Sequence, residues 1–506
     1  MKDLILAIDQ GTTSTRAILF NKEAQIVALA QKEIENHFPK EGHVEQDPQE
    51  IWTSVLQVMS EVISKENIDS SRVIGMGITN QRETTILWDK NTQKPVHPAI
   101  VWQSRQTQKI INKWKKEGLS SFVQDKTGLV LNPYFSASKI RYILDSDPDL
   151  QKRAEAGEIL FGTVETFLLW KLTGGKEHKT DITNASRTML MNIETGEWDE
   201  ELLKTFNIPR KMLPEIISND EVAGISEGRY FFGEELPIAS LIGDQQGALF
   251  GQACFHEGMI KNTYGTGCFT LLQTEDRLVR NEKGLLSTVA WKRKGTIYYA
   301  IEGSVFVAGS AVQWLRDGMR IISDSSESET LAKRVEDTDG LVIVPAFVGL
   351  GAPYWDDDAR GAVFGITRGT KKEHLVRGTL EAICYQTEDI LRVMGEESGL
   401  DLDVIKVDGG AVKNDLLMQF QADISNATIT RHTLQESTAM GAAFLAGLNL
   451  GFWKDEFELE SLLKVDKSFS PEMEEKVRNK KYSRWQKAVK ATMSFKDDED
   501  DDKRDA

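Results

Sequence analysis

The sequence predicts an α/β protein built on a duplicated core, and three observations carry that prediction. A Gly-Thr turn between two strands opens the chain, with Leu4 to Ile8 before Asp9-Gln10-Gly11-Thr12-Thr13 and Ala17 to Phe20 after it. The pattern recurs near the middle, where Met259 to Tyr264 runs into Gly265-Thr266-Gly267 and resumes over Cys268 to Leu272. A third glycine-rich turn, Asp408-Gly409-Gly410, follows the apolar run Val404 to Val407. Strand-turn-strand units interleaved with amphipathic helices mark α/β domains, and the likeness between the halves is one of pattern, not of residues. The boundary falls within Gly243 to Gly258, which predicts domains over 1–250 and 251–495 and an acidic, disordered tail over 496–506.

Each element has a local reason. Gln25 to Ala30 adds a third strand to the opening pair and makes a meander. Asp47 then offers an N-cap with Pro48 at N1 and Glu50 at N3, and Ile51, Val55, Met59 and Val62 or Ile63 recur at helical spacing, so a capping box and an amphipathic helix are predicted. Val73 to Ile78 reads as a buried strand that delivers Thr79-Asn80-Gln81-Arg82-Glu83 to its carboxyl end, where polar residues suggest a site. Gly243-Asp244 precedes a possible helix, as does Ala308-Gly309, and Asn414 caps one running through Ser425. The segment 453–495 reads as terminal helices, with Trp485, Val489 and Met493 on one face.

Composition narrows the function. The chain has 506 residues, 40% hydrophobic, with 61 Lys+Arg against 78 Asp+Glu and a formal net charge of −17. Seven acids and two bases after Lys496 concentrate part of that charge in the tail, and the body stays moderately acidic. An acidic body without a Lys/Arg run disfavours nucleic acid and anionic headgroups as partners. Lys2 to Ile8 lacks the basic n-region, long apolar region and cleavage site of a signal peptide, and the apolar stretch around Leu341 to Tyr354 is broken by Pro and Gly before it could span a bilayer. A soluble, cytoplasmic protein with no membrane span is expected. Cys254, Cys268 and Cys384 are widely spaced in apolar surroundings and read as reduced structural thiols.

The motifs exclude more than they include. The sequence contains no GxxxxGK[ST], GxGxxG, HRD, HExxH or GxSxG. Ser136-Ala-Ser-Lys139 matches SxxK and Lys126-Thr-Gly128 matches KTG, but in reversed order and without SDN, so a penicillin-recognising serine enzyme is rejected. The strongest local signal is Asp9-Gln-Gly-Thr-Thr-Ser-Thr-Arg16. A Gly-Thr turn points N–H groups and hydroxyls at one place, which suits phosphate oxygens, and an acid at the strand end suits a magnesium ion, directly or through water. A plain hairpin with a polar turn accounts for that segment alone equally well. Three such turns, however, can surround one nucleotide.

Asp-x-Gly-Thr at the start, Gly243-Asp-Gln-Gln246, Tyr264-Gly-Thr-Gly267 and Asp408-Gly-Gly-Ala411 together resemble the FGGY family of carbohydrate kinases, relatives of actin, hexokinase and the heat-shock chaperone ATPases. Ile78-Thr-Asn-Gln-Arg-Glu-Thr-Thr85, Val101-Trp-Gln103, Asn132-Pro-Tyr-Phe-Ser136, Thr183-Asn-Ala-Ser-Arg187 and Gly349-Leu-Gly-Ala-Pro-Tyr-Trp355 are similar to the branch of that family that acts on glycerol. The resemblance runs from about residue 4 to about 490. It implies two ribonuclease-H-like domains flanking a catalytic cleft, with glycerol held mainly by the first and ATP or ADP mainly by the second. It further implies Mg2+-dependent, direct in-line transfer of the γ-phosphoryl group to glycerol, as the first step of glycerol catabolism, and a homodimer or homotetramer.

On this resemblance the residues acquire roles that chemistry can rationalise. A small neutral triol needs paired hydrogen bonds and an apolar wall. Arg82 would donate, Glu83 accept and Tyr134 donate, with Gln245 helping and Trp102 and Phe269 forming the wall. Asp244 is the candidate general base, since the attacking hydroxyl must lose its proton, although by itself it also reads as a turn or N-cap aspartate. Asp9 and Asp244 would hold magnesium, through water or directly; Thr12, Thr13, Ser14 and Arg16 would face the phosphates, and Thr266 would do so from the second domain. Gly309, Gln313, Gly410 and Asn414 correspond to nucleotide contacts, Gly410 allowing close backbone approach. Departures concern control: Tyr230-Phe-Phe-Gly233 stands where some family members carry a phosphorylatable histidine, and the glycine-rich loop serving fructose bisphosphate inhibition in others is unmatched around 226–235. The alternatives are a xylulose or gluconate kinase, or an actin-like ATPase that is no kinase.

Overall fold

The computed structural model describes residues 2–495. The acidic tail expected over 496–506 lies outside the described residues. Two sheets dominate. The first is built from β1 (Leu4–Gln10), β2 (Ser14–Phe20), β3 (Ile26–Glu33), β4 (Val73–Asn80), β5 (Gly224–Ile225) and β6 (Pro237–Gly243), in the order β5-β6-β4-β1-β2-β3. The second comprises β7 (Ile260–Tyr264), β8 (Cys268–Gln273), β9 (Leu286–Arg293), β10 (Thr296–Val305), β11 (Val404–Asp408), β12 (Thr428–His432) and β13 (Val465–Phe469), in the order β9-β10-β8-β7-β11-β12-β13.

Both sheets share one plan. An antiparallel run, β3-β2-β1 in the first and β10-β8-β7 in the second, is extended by two parallel strands, β4 and β6 or β11 and β12. This is the ribonuclease-H-like arrangement. The central strands are apolar because both faces are covered: Leu4 to Ile8 are fully buried, as are Val73, Met76 and Ile78. On the first sheet lies α1 (Pro48–Ser64), which buries Ile51, Val55, Met59 and Val62 at helical spacing. Asp47 caps it by accepting from the Gln49 N–H at 2.8 Å, but the predicted box does not close, because Glu50 accepts from the Glu35 N–H instead.

The halves are joined by helices as well as by chain. Helix α3 (Asp244–Gly251) follows β6, and α7 (Ser437–Asn449) from the second half packs along it and against β1 and β4. Glycine makes that crossing possible: a Cβ on Gly441 would lie 1.9 Å from the Gly247 carbonyl oxygen, and one on Gly251 would lie 2.0 Å from the Ser437 oxygen. The second half is filled by the 27-residue helix α5 (Lys372–Ser398) and by α6 (Asp415–Ser425). The terminal segment differs from the all-helical expectation, since β13 pairs antiparallel with β12 between α8 (Glu456–Leu462) and α9 (Glu475–Ser494). Its alternation is hard to see in the sequence, because four of its five residues are exposed at the sheet edge. All three cysteines are buried and unpaired. Among the described residues no helix is long and apolar enough to cross a membrane.

Candidate active site

Sheet register brings the predicted residues of the first half to one edge. Asp9 lies beside Thr79, and Asn80 is flanked by Gln10 on one side and Gly243 on the other. The parallel strands β1, β4 and β6 therefore end together, and the next residues of each, the Gly-Thr turn, Gln81-Arg82-Glu83 and Asp244, converge. The second sheet does the same with glycine turns: Thr263 lies beside Asp408, and Cys268 opposite Val305, so Gly265-Gly267, Gly309 and Gly410 share an edge. Ligands of open α/β sheets bind at such carboxyl edges.

The chain reverses sharply at Glu83. The Thr84 N–H donates to the Arg82 carbonyl at 2.7 Å, and Glu83, at the apex, has φ +59°, a left-handed conformation that costs a non-glycine residue about 1–3 kcal/mol. Arg82 and Glu83 are 2% and 1% exposed, so they are not a solvated surface pair. They belong to a buried ionic cluster. Arg82 grips Glu302 of β10 with Nη1 to Oε2 at 2.6 Å and Nη2 to Oε1 at 2.9 Å. Arg187 donates from Nη2 to Glu302 Oε1 at 2.8 Å and from Nε to Glu83 Oε1 at 2.7 Å. Two guanidiniums and two carboxylates balance in charge, as burial requires. Despite burial, Arg187 and Arg82 hold the Glu302 carboxyl down at about 2, whereas burial outweighs the same arginines at Glu83 and raises it.

Asp244 lies at the rim of this cluster, 28% exposed at its side chain, with Oδ1 3.2 Å from Arg82 Nε and accepting the Gln245 N–H at 2.7 Å. It occupies the first turn of α3, with Gly243 at the N-cap position, as its reading as a helix-start aspartate expects. Burial raises its pKa, with Arg82 and Lys261 pulling the other way. The structure brings the predicted aromatic residues together: Trp102 meets Tyr134 edge-on with centroids 5.7 Å apart and Phe269 at 5.9 Å. Arg82 Nη2 is 3.5 Å from the Tyr134 hydroxyl. Gln245 is tied back, its Oε1 accepting from the buried Lys261 Nζ, which also donates to Thr263 Oγ1 at 3.0 Å and to the Phe269 carbonyl at 3.2 Å. Trp102, Tyr134 and Phe306 also line a neighbouring cavity of about 300 Å³.

In the second half, Thr266, Gly309, Gln313, Gly410 and Asn414, the residues expected to meet a nucleotide, all line one cavity of about 430 Å³. Asn414 caps α6 through Oδ1 to the Leu417 N–H at 3.0 Å while facing that cavity. The backbone constraint is at Gly409 rather than Gly410: φ is +93°, and a Cβ there would lie 2.4 Å from the Tyr264 oxygen, whereas one on Gly410 would meet no protein atom. Ser325, Ser326, Ser328, Glu329 and Lys413 also line the cavity and had no motif to announce them.

The first-half turn is more engaged than expected. Thr12 Oγ1 accepts from Trp102 Nε1 at 2.8 Å, Ser14 is nearly buried and only Thr13 is open to solvent. Arg16 is paired with Glu436 at 2.6 Å instead of standing free. Asp9 is pushed up to about 7, first by burial and then by the charges of Glu436 and Asp244, against Arg16. Among the described residues no three His, Cys, Asp or Glu side chains could hold a metal ion unaided. The donor chemistry nevertheless fits a hydrated magnesium ion, which takes one or two carboxylates and completes its shell with water and phosphate oxygens.

Sequence reasoning missed Glu302, Gln246 and Lys261 and gave Arg187 no role. Glu302 had a usable signal, a lone carboxylate in the otherwise uncharged strand segment Ala300 to Val305. The others are polar residues in unremarkable helix or strand contexts.

Residues 4–251 match the N-terminal domain, and residues 260–450 the C-terminal domain, of the FGGY family of carbohydrate kinases. The chain is 54% identical over 496 residues to a glycerol kinase of Staphylococcus epidermidis, covering 98% of this chain and 99% of that one. It is 55% identical over 496 residues to a glycerol kinase of Bacillus subtilis, covering 98% and 100%. Its fold superimposes on Plasmodium falciparum glycerol kinase with ADP at a TM-score of 0.90 and 39% identity, covering 97% and 98% of the two chains. A gluconate kinase from Lactobacillus acidophilus shares the fold at a TM-score of 0.86 and 22% identity. With both domains matched in order along nearly its whole length, the chain belongs to the FGGY family of carbohydrate kinases.

Proposed function

We propose that the protein transfers the γ-phosphoryl group of MgATP to glycerol, giving sn-glycerol 3-phosphate and ADP. The observation that carries this reading is the placement of a buried, charge-balanced cluster that includes Arg82 and Glu83, with Asp244 at its rim and Tyr134, Trp102 and Phe269 beside it, next to the two strand edges that bear the glycine turns. The hairpin of β7 and β8 links the two: Thr266, at its tip, faces the nucleotide cavity, and Phe269, three residues on, faces the wall. The identity to glycerol kinases supports the substrate, whereas gluconate and xylulose kinases share only the fold.

In this reading Arg82 and Glu83 take complementary hydrogen bonds to adjacent hydroxyls, and Gln245 a further one. Trp102 and Phe269 exclude water from the carbon edge, so that water does not compete as acceptor. Asp244 accepts the proton of the attacking hydroxyl at its carboxylate. Arg82 Nε, 3.2 Å away, opposes the effect of burial on that carboxylate and orients it. Thr13, Ser14 and Arg16 from one domain and Thr266 from the other meet the phosphates; Gly309, Gln313, Gly410 and Asn414 meet the rest of the nucleotide. Asp9 and Asp244 would hold Mg2+, directly or through water, and the bound ion would supply charge neutralisation on the transferring group. The domains divide near residue 250, and the enzyme is a cytoplasmic homodimer or homotetramer, a state that light scattering reads directly.

The deciding experiment is a substrate panel. With Mg2+ and ATP, purified protein should release ADP with glycerol far faster than with other three- to six-carbon polyols and ketoses. A much higher kcat/KM for xylulose or gluconate would overturn the substrate, and ATP hydrolysis indifferent to polyol would overturn the kinase reading.

A further inference from the structure

The SxxK segment rejected as a nucleophile motif has another use in the structure. Ser136 and Lys139 open α2 (Ser136–Ser146), and both are fully buried. Their polar ends meet at one atom, the carbonyl oxygen of Glu83. Ser136 Oγ donates to it at 3.1 Å and Lys139 Nζ at 3.2 Å, and Thr85 Oγ1 adds a third bond at 3.1 Å. Lys139 Nζ also donates to the Tyr134 carbonyl. No carboxylate lies within ion-pair distance of Lys139 among the described residues, and burial pulls its ammonium down to about 7. A buried lysine spent on two main-chain carbonyls is costly unless it secures something.

What it secures is the sharp turn at Glu83. The φ of +59° there is a conformation that a glutamate rarely adopts, and such strain persists only where the surroundings over-determine it. Rotating the 83–84 peptide toward an ordinary conformation would move its carbonyl away from all three donors. It would also withdraw the Glu83 carboxylate from Arg187, with which it shares a 2.7 Å bond. Because Lys139 holds the Tyr134 carbonyl as well, one ammonium fixes the main chain of two residues that face the polyol.

We propose that Ser136 and Lys139 are positioning residues for the polyol site: together they clamp the Glu83 carbonyl, hold that residue left-handed, and so aim its carboxylate and the Tyr134 hydroxyl at the substrate. The proposal rests on the reading of Glu83 and Tyr134 as polyol ligands. Neither Ser136 nor Lys139 lines the nucleotide cavity, so the clamp acts on one substrate only.

The test is steady-state kinetics of the full chain and of Ser136→Ala and Lys139→Met, varying glycerol and ATP separately, with thermal unfolding recorded for each protein. Loss of one donor to a buried carbonyl is expected to raise the glycerol KM about tenfold in Ser136→Ala and further in Lys139→Met, leaving the ATP KM within about twofold. A folded variant with parental glycerol KM, or one whose two KM values rise together, overturns the clamp. If Lys139→Met fails to fold, Ser136→Ala decides by the same criterion. Absence of glycerol phosphorylation by the unmodified protein would instead overturn the polyol reading itself, and the clamp with it.

Discussion

On the proposed reading, the polyol and nucleotide sides of the cleft would solve recognition with different materials. On the polyol side the groups are side chains, buried and already paired: Arg82, Glu83, Arg187 and Glu302 are at most 2% exposed and joined by bonds of 2.6 to 2.9 Å. In the second-half cavity the lining mixes glycine at 265, 309 and 410 and the small polar Thr266, Ser325, Ser326 and Ser328 with apolar Val312, Leu380, Ala411 and Leu417. The difference follows from the ligands. A neutral triol brings no charge of its own, so discrimination needs fixed, desolvated donors and acceptors whose loss of a partner is expensive. A polyphosphate brings charge in plenty and needs N–H groups at close range. In an acidic protein of formal charge −17, those local donors must also overcome repulsion by the body.

The comparison can be broken most severely at the junction of the two sides. Asp244→Asn should lower kcat by about 10²–10⁴-fold with nucleotide affinity nearly unchanged, as measured by turnover and by calorimetric titration with ADP; near-normal turnover would remove Asp244 as the base. Next comes the ionic cluster. Glu302→Leu leaves two buried guanidiniums with only the Glu83 carboxylate to balance them, and a loss of about 3–5 kcal/mol in unfolding free energy is expected in denaturant titration, together with a raised glycerol KM. Acid should reproduce part of that loss. The Glu302 carboxyl is depressed from 4.5 to about 2, so its stabilisation is complete above about pH 4.5 and disappears as pH falls toward 2.

The nucleotide side should respond more mildly and with the other substrate. Gly409→Ala, strained at φ +93° and pressed on the Tyr264 oxygen, is expected to cost about 2 kcal/mol and to raise the ATP KM more than the glycerol KM. The pH signature reverses at the phosphate-facing turn. Asp9 is raised from 3.8 to about 7, so its contribution is present below 3.8 and lost as pH rises through 7; Asp9→Asn should flatten the fall in stability across that window in thermal unfolding. The smallest effect belongs to Glu436→Gln. Its ion pair with Arg16 is about one-third exposed, so stability should change by less than about 1 kcal/mol, while freeing Arg16 lowers the ATP KM by less than about fivefold.

Legibility followed the same divide. The turns at Gly11-Thr12, Gly265-Thr266 and Gly409-Gly410 could be read in the chain because their chemistry lies in consecutive residues, and their flanking strands are apolar runs with clear ends. Asp244 took its role from the Gly243-Asp-Gln-Gln246 resemblance, whereas Arg82 and Glu83 were visible because they follow the buried strand Val73 to Ile78. Glu302, Lys261 and Gln246 were not, since each acquires its meaning from a partner more than 10 residues away: Glu302 from Arg82, 220 positions back, Lys261 from Gln245, and Gln246 from Arg82. Nor could periodicity show β13, an exposed edge strand, or the open capping box, where Glu50 found the Glu35 N–H instead.

By itself the sequence determined the α/β class, the duplicated strand-turn-strand units, the three glycine-rich turns and the polar residues at the end of a buried strand, because apolar periodicity and glycine turns act over a few residues. Only the tertiary structure decided that Arg82 hydrogen-bonds Glu302 while lying 3.8 Å from its neighbour Glu83, that Arg187 hydrogen-bonds both carboxylates, and that an apparent nucleophile motif at Ser136 and Lys139 holds a carbonyl. Buried charges must find partners wherever the fold brings them, and in this chain the sheets bring them from opposite halves.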